Sequence, residues 1–154
     1  MNDRIKIGME CYATYATKEI KDEAKKSGYI CLPILHGHVQ VPDIDAVEGK
    51  VPIQSQVLFD NGQTVNCYNH AIVPADKCVF VVNDNDMETP VLVTMDYEKA
   101  KKELKERVQN FKADFADIEN VLVDKENMYV ARYDGDDGDN PNYCEIFISY
   151  HELA

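Results

Sequence analysis

Apolar residues along the chain follow two rhythms. Between Asp96 and Ile118, the residues Tyr97, Ala100, Leu104, Val108, Phe111, Phe115 and Ile118 recur at intervals of three and four. That is the spacing of one buried stripe on a helix of 3.6 residues per turn. Asp96 is a natural N-cap, and Lys101, Lys102, Glu103, Lys105 and Glu106 are strong helix formers for the outer side. The pattern predicts one long amphipathic helix over about 96–118, roughly 35 Å long at about 1.5 Å per residue, which must pack across a sheet. A shorter helix is predicted over about 14–27, opening at Thr14 or Thr17 with Ala16, Ile20 and Ala24 turned inward. Lys25 and Lys26 complement its last turn, and Gly28 is the expected stop.

The other rhythm is alternation. Ile5, Ile7 and Met9 alternate with Arg4, Lys6 and Gly8, which predicts an N-terminal strand buried on one face. Two strand-like runs, Val57–Asp60 and Gln63–Val65, flank Asn61-Gly62, the signal for a two-residue type I′ hairpin. Cys78–Val82 and Val91–Met95 suit central strands separated by the polar Asn83–Asp86 turn. After the long helix, Val121–Val123, Met128–Tyr133 and Tyr143–Tyr150 read as an antiparallel meander, while Pro42–Val51 reads as a surface loop. With no internal repeat and no linker, the expectation is a single α+β globular domain over 1–154, with a mostly antiparallel sheet.

Composition narrows the possible functions. A chain of 154 residues, 45% of them apolar, can bury roughly 70% of its unfolded surface, so neither metal nor disulfide is needed to hold a core. Five cysteines, an odd number, are expected as free thiols. Apolar runs such as Tyr29–Leu35 and Cys78–Val82 are far shorter than a membrane span. Met1–Glu23 mixes both charge signs and has no apolar stretch before a cleavage site, so no secretory leader and a cytoplasmic protein are expected.

Charge adds the most. There are 28 acidic and 16 basic residues, a net charge of -12 that disfavours direct binding to nucleic acid or an anionic membrane. The signs are segregated: residues 1–29 carry 6 basic against 5 acidic side chains and 97–112 carry 6 against 3. By contrast, 30–96 carry 2 against 9 and 113–154 carry 2 against 11. Cations concentrate where the helices are expected, leaving strands and loops almost purely acidic.

Three candidate chemistries follow. His36 and His38 would share one face of an extended segment, and Cys67-x-x-His70 could close a turn around zinc. The set lacks a Cys-x-x-Cys or His-x-x-x-His pair, and Gly37 suits a turn as readily as a strand. Residues 134–145 have the length of an EF-hand loop, with Asp134, Asp136, Asn142 and Glu145 at ligand positions. Gly138 and Asp139 break that pattern, and the flanks read as strands rather than helices. No Cys/His pair is singled out as a nucleophile, and the glycine motifs of dinucleotide, triphosphate and esterase sites are missing. No catalytic residue, metal or cofactor is therefore assigned.

What remains is the acid itself. Asp84, Asp86 and Glu88 occupy one expected loop and Asp134, Asp136, Asp137 and Asp139 another, with Tyr133 and Tyr143 beside them. Rigid rings supply contact area and carboxylates select a basic partner. The expectation is a non-enzymatic acidic binding or inhibitor protein that occupies a basic site on another protein. A nucleic-acid-processing enzyme would suit, as would a basic toxin. Antagonists made by phage and mobile elements, and immunity proteins, share this size and charge, though no motif carries the likeness. The same clusters also suit an ordinary solvated acidic face, and the alternative function is a small metal-dependent enzyme using the His/Cys cluster or an acidic pocket.

Overall fold

The computed structural model describes residues 4–44, 53–114, 118–133 and 142–154. Among them the chain forms an α+β fold with two five-stranded antiparallel sheets and two α-helices. It divides into two compact units. Unit 1 comprises Met1–Ala16, Leu32–Cys78 and Glu152–Ala154, and unit 2 comprises Thr17–Cys31 and Val79–His151. No helix among the described residues is long and apolar enough to cross a membrane.

Unit 1 is built on β1 (Glu10–Ala13), β2 (Leu35–Ile44), β3 (Gln54–Phe59), β4 (Thr64–Tyr68) and β5 (Val73–Pro74), ordered β4-β3-β2-β1-β5. Cys11 lies opposite Gly37, Gly37 opposite Phe59, and Val39 opposite Val57. Because side chains alternate across a sheet, this register puts Cys11, Ala13, Val39, Val57, Phe59 and Cys67 on one face, where Ile5 and Ile72 complete the core. Gly37 is a strand residue: a Cβ there would lie 2.5 Å from the Leu58 carbonyl oxygen. β2 is irregular beyond Val39, and Asp43 takes a φ of 54°. A closed set of bonds holds that bend. The Asp43 N–H donates to Ser55 Oγ at 2.9 Å, Ser55 Oγ donates to Asn69 Oδ1 at 2.6 Å, and Asn69 Nδ2 donates to Asp43 Oδ1 at 2.8 Å. Every polar atom named is thereby satisfied, as the burial of Ser55 and Asn69 requires.

Unit 2 contains α1 (Lys18–Ser27), most of β6 (Cys78–Asp84), β7 (Leu92–Thr94), α2 (Tyr97–Asp114), β8 (Ile118–Lys125), β9 (Met128–Tyr133) and most of β10 (Asn142–Glu152). Its sheet runs β7-β6-β10-β9-β8, and β8-β9-β10 is the expected meander. Asp96 Oδ1 accepts from the Glu98 N–H at 3.0 Å, capping α2 as its sequence implies. The helix buries Tyr97, Ala100, Leu104, Val108 and Phe111. Tyr97 stacks on Phe80 with ring centres 4.8 Å apart, and Phe111 meets Tyr133 edge-on at 5.3 Å. For α1, Thr17 accepts from the Ile20 N–H at 3.2 Å, and Gly28 at φ 81° donates to the Ala24 carbonyl at 2.8 Å.

Several expectations are corrected. Residues 4–9 turn rather than extend: Gly8 takes a φ of 78°, Ile5 is buried, and Ile7 is 75% exposed. Regular strand pairing begins at Glu10, preceded only by the bonds from the Gly8 N–H to the Val39 carbonyl at 2.7 Å and from the Val39 N–H to the Met9 carbonyl at 3.0 Å. Ala16 is exposed and precedes α1. Ile118, the last position of the apolar stripe, opens β8 and pairs with Tyr133; Phe115 lies outside the described residues. At the hairpin only Gly62 takes a positive φ, 88°, and Phe59 pairs with Gln63. The loop is thus Asp60-Asn61-Gly62, three residues with glycine in the left-handed position, rather than a type I′ turn. Of the expected Pro42–Val51 loop, Pro42, Asp43 and Ile44 belong to β2, and 45–51 lie outside the described residues.

Candidate functional site

Unit 2 gathers carboxylates where β6 ends beside the last turns of α2. Alternation along β6 turns Phe80, Val82 and Asp84 toward α2. Asp84, only 12% exposed at its side chain, pairs with Arg107 at 3.4 Å, and Arg107 also bonds Glu103 one turn back at 3.1 Å. The Asp86 N–H donates to Asp84 Oδ1 at 3.0 Å, folding the chain into a tight turn. Asn85 clamps that turn to β10, donating from Nδ2 to the Tyr143 carbonyl at 2.7 Å and accepting from the Glu145 N–H at 2.9 Å. Asp84, Asp86 and Asp114, with Arg107 and Asn110, line a recess of about 160 Å³. Burial, then the charges of Asp86 and Asp84, push the Tyr133 hydroxyl above its ordinary pKa.

The structure thus brings Asp84, Asp86 and Tyr133 together and leaves Tyr143 elsewhere. Cys144 and Ile146 are buried on the α2 side, so Tyr143 and Glu145 project from the opposite face. There Glu145 accepts from the Tyr29 hydroxyl at 2.7 Å, and that bond, with burial and the Glu145 charge, pushes Tyr29 up to about 12. Glu88 is exposed in the turn after β6. Asp134, Asp136, Asp137 and Asp139, and with them most of the EF-hand-length segment weighed for calcium, lie outside the described residues. A larger recess in unit 2, about 420 Å³, runs between α1 and β8, with Ile20, Glu23, Cys31, Val123 and Lys125 on its walls.

The candidate zinc ligands weighed from the sequence do not converge. His36 and His38 share the face of unit 1's sheet opposite its core, as their spacing implied. Cys67 is buried on the core face, and His70 stacks on Tyr68 with ring centres 5.4 Å apart. Among the described residues no group of three or more His, Cys, Asp and Glu side chains is arranged to hold a metal ion. Thiol chemistry is disfavoured for a separate reason. Burial above all pushes Cys11, Cys78 and Cys144 up to about 12 and Cys67 to about 11, so at neutral pH these thiols are protonated and poor nucleophiles.

One cluster escaped sequence reasoning. His36 is held between Glu10 and Asp60, each 2.6 Å from a ring nitrogen, with Tyr12 and His38 edge-on beside it. The register that carries it is Tyr12 opposite His36 on β1 and β2, with Asp60 just past the end of β3. The Asn61-Gly62 turn marks the position of Asp60, whereas the alternation of Ile5, Ile7 and Met9 draws the first expected strand ahead of Glu10.

No family model, curated protein or solved structure matches the chain.

Proposed function

We propose that this protein works by binding rather than by catalysis, using an acidic surface of unit 2 to occupy a basic site on a protein partner. The carrying observation is the imbalance of that unit: 20 of the 28 acidic residues belong to it, against 12 basic ones. Its cations are partly spent inside the unit. Arg107 pairs with Asp84 and Glu103, Lys101 with Glu98 and Glu126, and Lys125 with Glu23. Around the recess at the end of α2, three carboxylates face one guanidinium that is already engaged. A folded surface with that excess attracts a cationic groove at long range and gains from releasing its counterions, as a polyphosphate does. A nucleic-acid-processing enzyme or a basic toxin is the partner class this chemistry suits.

The test is association kinetics. A partner recovered from the native cell should be basic and should bind at least tenfold more weakly at about 300 mM salt than at about 50 mM. Changing Asp134, Asp136, Asp137 and Asp139 together to Asn should slow association while leaving dissociation nearly unchanged. Salt-independent binding, or an on-rate unaffected by the four changes, would refute the reading.

A further inference from the structure

His36 touches a carboxylate with each of its ring nitrogens: Nδ1 lies 2.6 Å from Asp60 Oδ2 and Nε2 lies 2.6 Å from Glu10 Oε1. An ionised carboxylate only accepts, so both contacts require an N–H on the ring. Neutral imidazole carries one such group and imidazolium carries two. The geometry is that of a cation set between two anions. Removing its proton leaves one ring lone pair facing a carboxylate across the same short gap.

The three side chains come from separate parts of unit 1. Glu10 opens β1, His36 sits near the start of β2, and Asp60 begins the turn between β3 and β4. That turn is also anchored by its backbone, since the Asp60 N–H donates to the His36 carbonyl at 3.1 Å. Among the described residues, the titratable groups facing the ring are Glu10 and Tyr12 on β1, His38 on β2 and Asp60 after β3. We infer that Glu10, His36 and Asp60 form a proton-operated latch, which ties β1 to the β3–β4 turn across β2 while His36 is charged and slackens when it is neutral.

The direction of its pH response follows from the surroundings. Burial of the ring lowers the His36 pKa, the bonds to Glu10 and Asp60 and their charges raise it, and the balance lies above the ordinary 6.5. A group whose pKa is higher folded than unfolded stabilises the fold fully below its unfolded value. The latch is therefore complete below about 6.5 and is lost as pH rises through the higher folded value. Both carboxylates are more than half exposed, 59% for Glu10 and 63% for Asp60, so salt should weaken it.

The histidine Cε1–H signals of the full chain, followed by NMR from about pH 5 to about pH 9, test this directly, with His36 assigned by the signal lost in His36→Gln. The wild-type midpoint should lie above 6.5, Glu10→Gln and Asp60→Asn should each lower it, and the double change should bring it to about 6.5 or below. Hydrogen exchange at the Asp60 amide supplies a second reading. Corrected for intrinsic rates, its protection should fall as the wild type passes the His36 midpoint and stay level in either single variant. A wild-type midpoint at or below 6.5, or a midpoint unmoved by both single changes, would overturn the latch. So would the same pH-dependent loss of protection with and without the carboxylates. Each single variant is read on its own, so failure of the double variant to fold leaves the test intact.

Discussion

Each unit is built on its own five-stranded antiparallel sheet, and the two differ in how their side chains are satisfied. Unit 2 lays an eighteen-residue helix against its sheet and fills the interface with rings, Tyr97 on Phe80 and Phe111 on Tyr129 and Tyr133. Unit 1 has no α-helix among its described residues, and its core is made mainly of small side chains such as Cys11, Ala13, Val39, Val57 and Cys67. The electrostatics follow the architecture. A carboxylate under the helix of unit 2, Asp84, is mostly covered and must be paired, which Arg107 does. On the uncovered face of unit 1, Glu10 and Asp60 stay largely in water and are linked through a single imidazole. Covering a sheet with a helix creates fixed ion pairs, whereas leaving it open lets a titratable group set the charge.

That contrast can be broken in three places, beginning with the largest effect. Phe80→Ala removes a fully buried ring from the helix–sheet interface and should cost about 3–5 kcal/mol in urea unfolding, through lost burial and the cavity left behind. A cost under about 1 kcal/mol would mean that unit 2 does not rest on its aromatic layer. Gly37→Ala probes unit 1, where close backbone approach replaces ring stacking. Its Cβ would stand 3.0 Å from Phe59 Cα and nearer still to the Leu58 carbonyl, so the strands must part at a cost of roughly 1–3 kcal/mol. Unchanged unfolding would show that β2 and β3 are looser than this register requires. Smallest is Asp84→Asn, which keeps the shape of a mostly covered side chain and removes its charge opposite the more exposed Arg107, at a cost of about 1 kcal/mol at low salt, fading as salt rises. A larger, salt-independent loss would make Asp84 a structural group instead of part of an acidic surface.

Much of the fold was legible in local pattern. The apolar stripe locates α2 and all five of its buried residues, Asp96 and Thr17, the latter one of two candidates, mark the helix starts, and Gly28 marks the end of α1. The Asn61-Gly62 pair locates the hairpin but not its turn type, because Asn61 leaves the positive φ to Gly62 alone. β2 was missed because Gly37 and Pro42 read as turn residues when seen without a partner strand. The candidate site was legible only in its residue types. Tyr133 and Tyr143 were grouped by nearness in sequence, yet adjacent strands of the meander turn them to opposite faces of the sheet.

Helix caps, the stop at Gly28, the glycine turn at Gly62 and the net charge of -12 were determined by the sequence alone, because each depends on a few neighbouring residues or on none. Which charges meet was decided by the tertiary structure. Glu10 and Asp60 reach one imidazole, and Asp84 reaches Arg107, only through strand register and helix placement. Register has a period of two along a strand, so a shift of one residue would turn Glu10, His36 or Asp84 to the other face, and no local pattern encodes it.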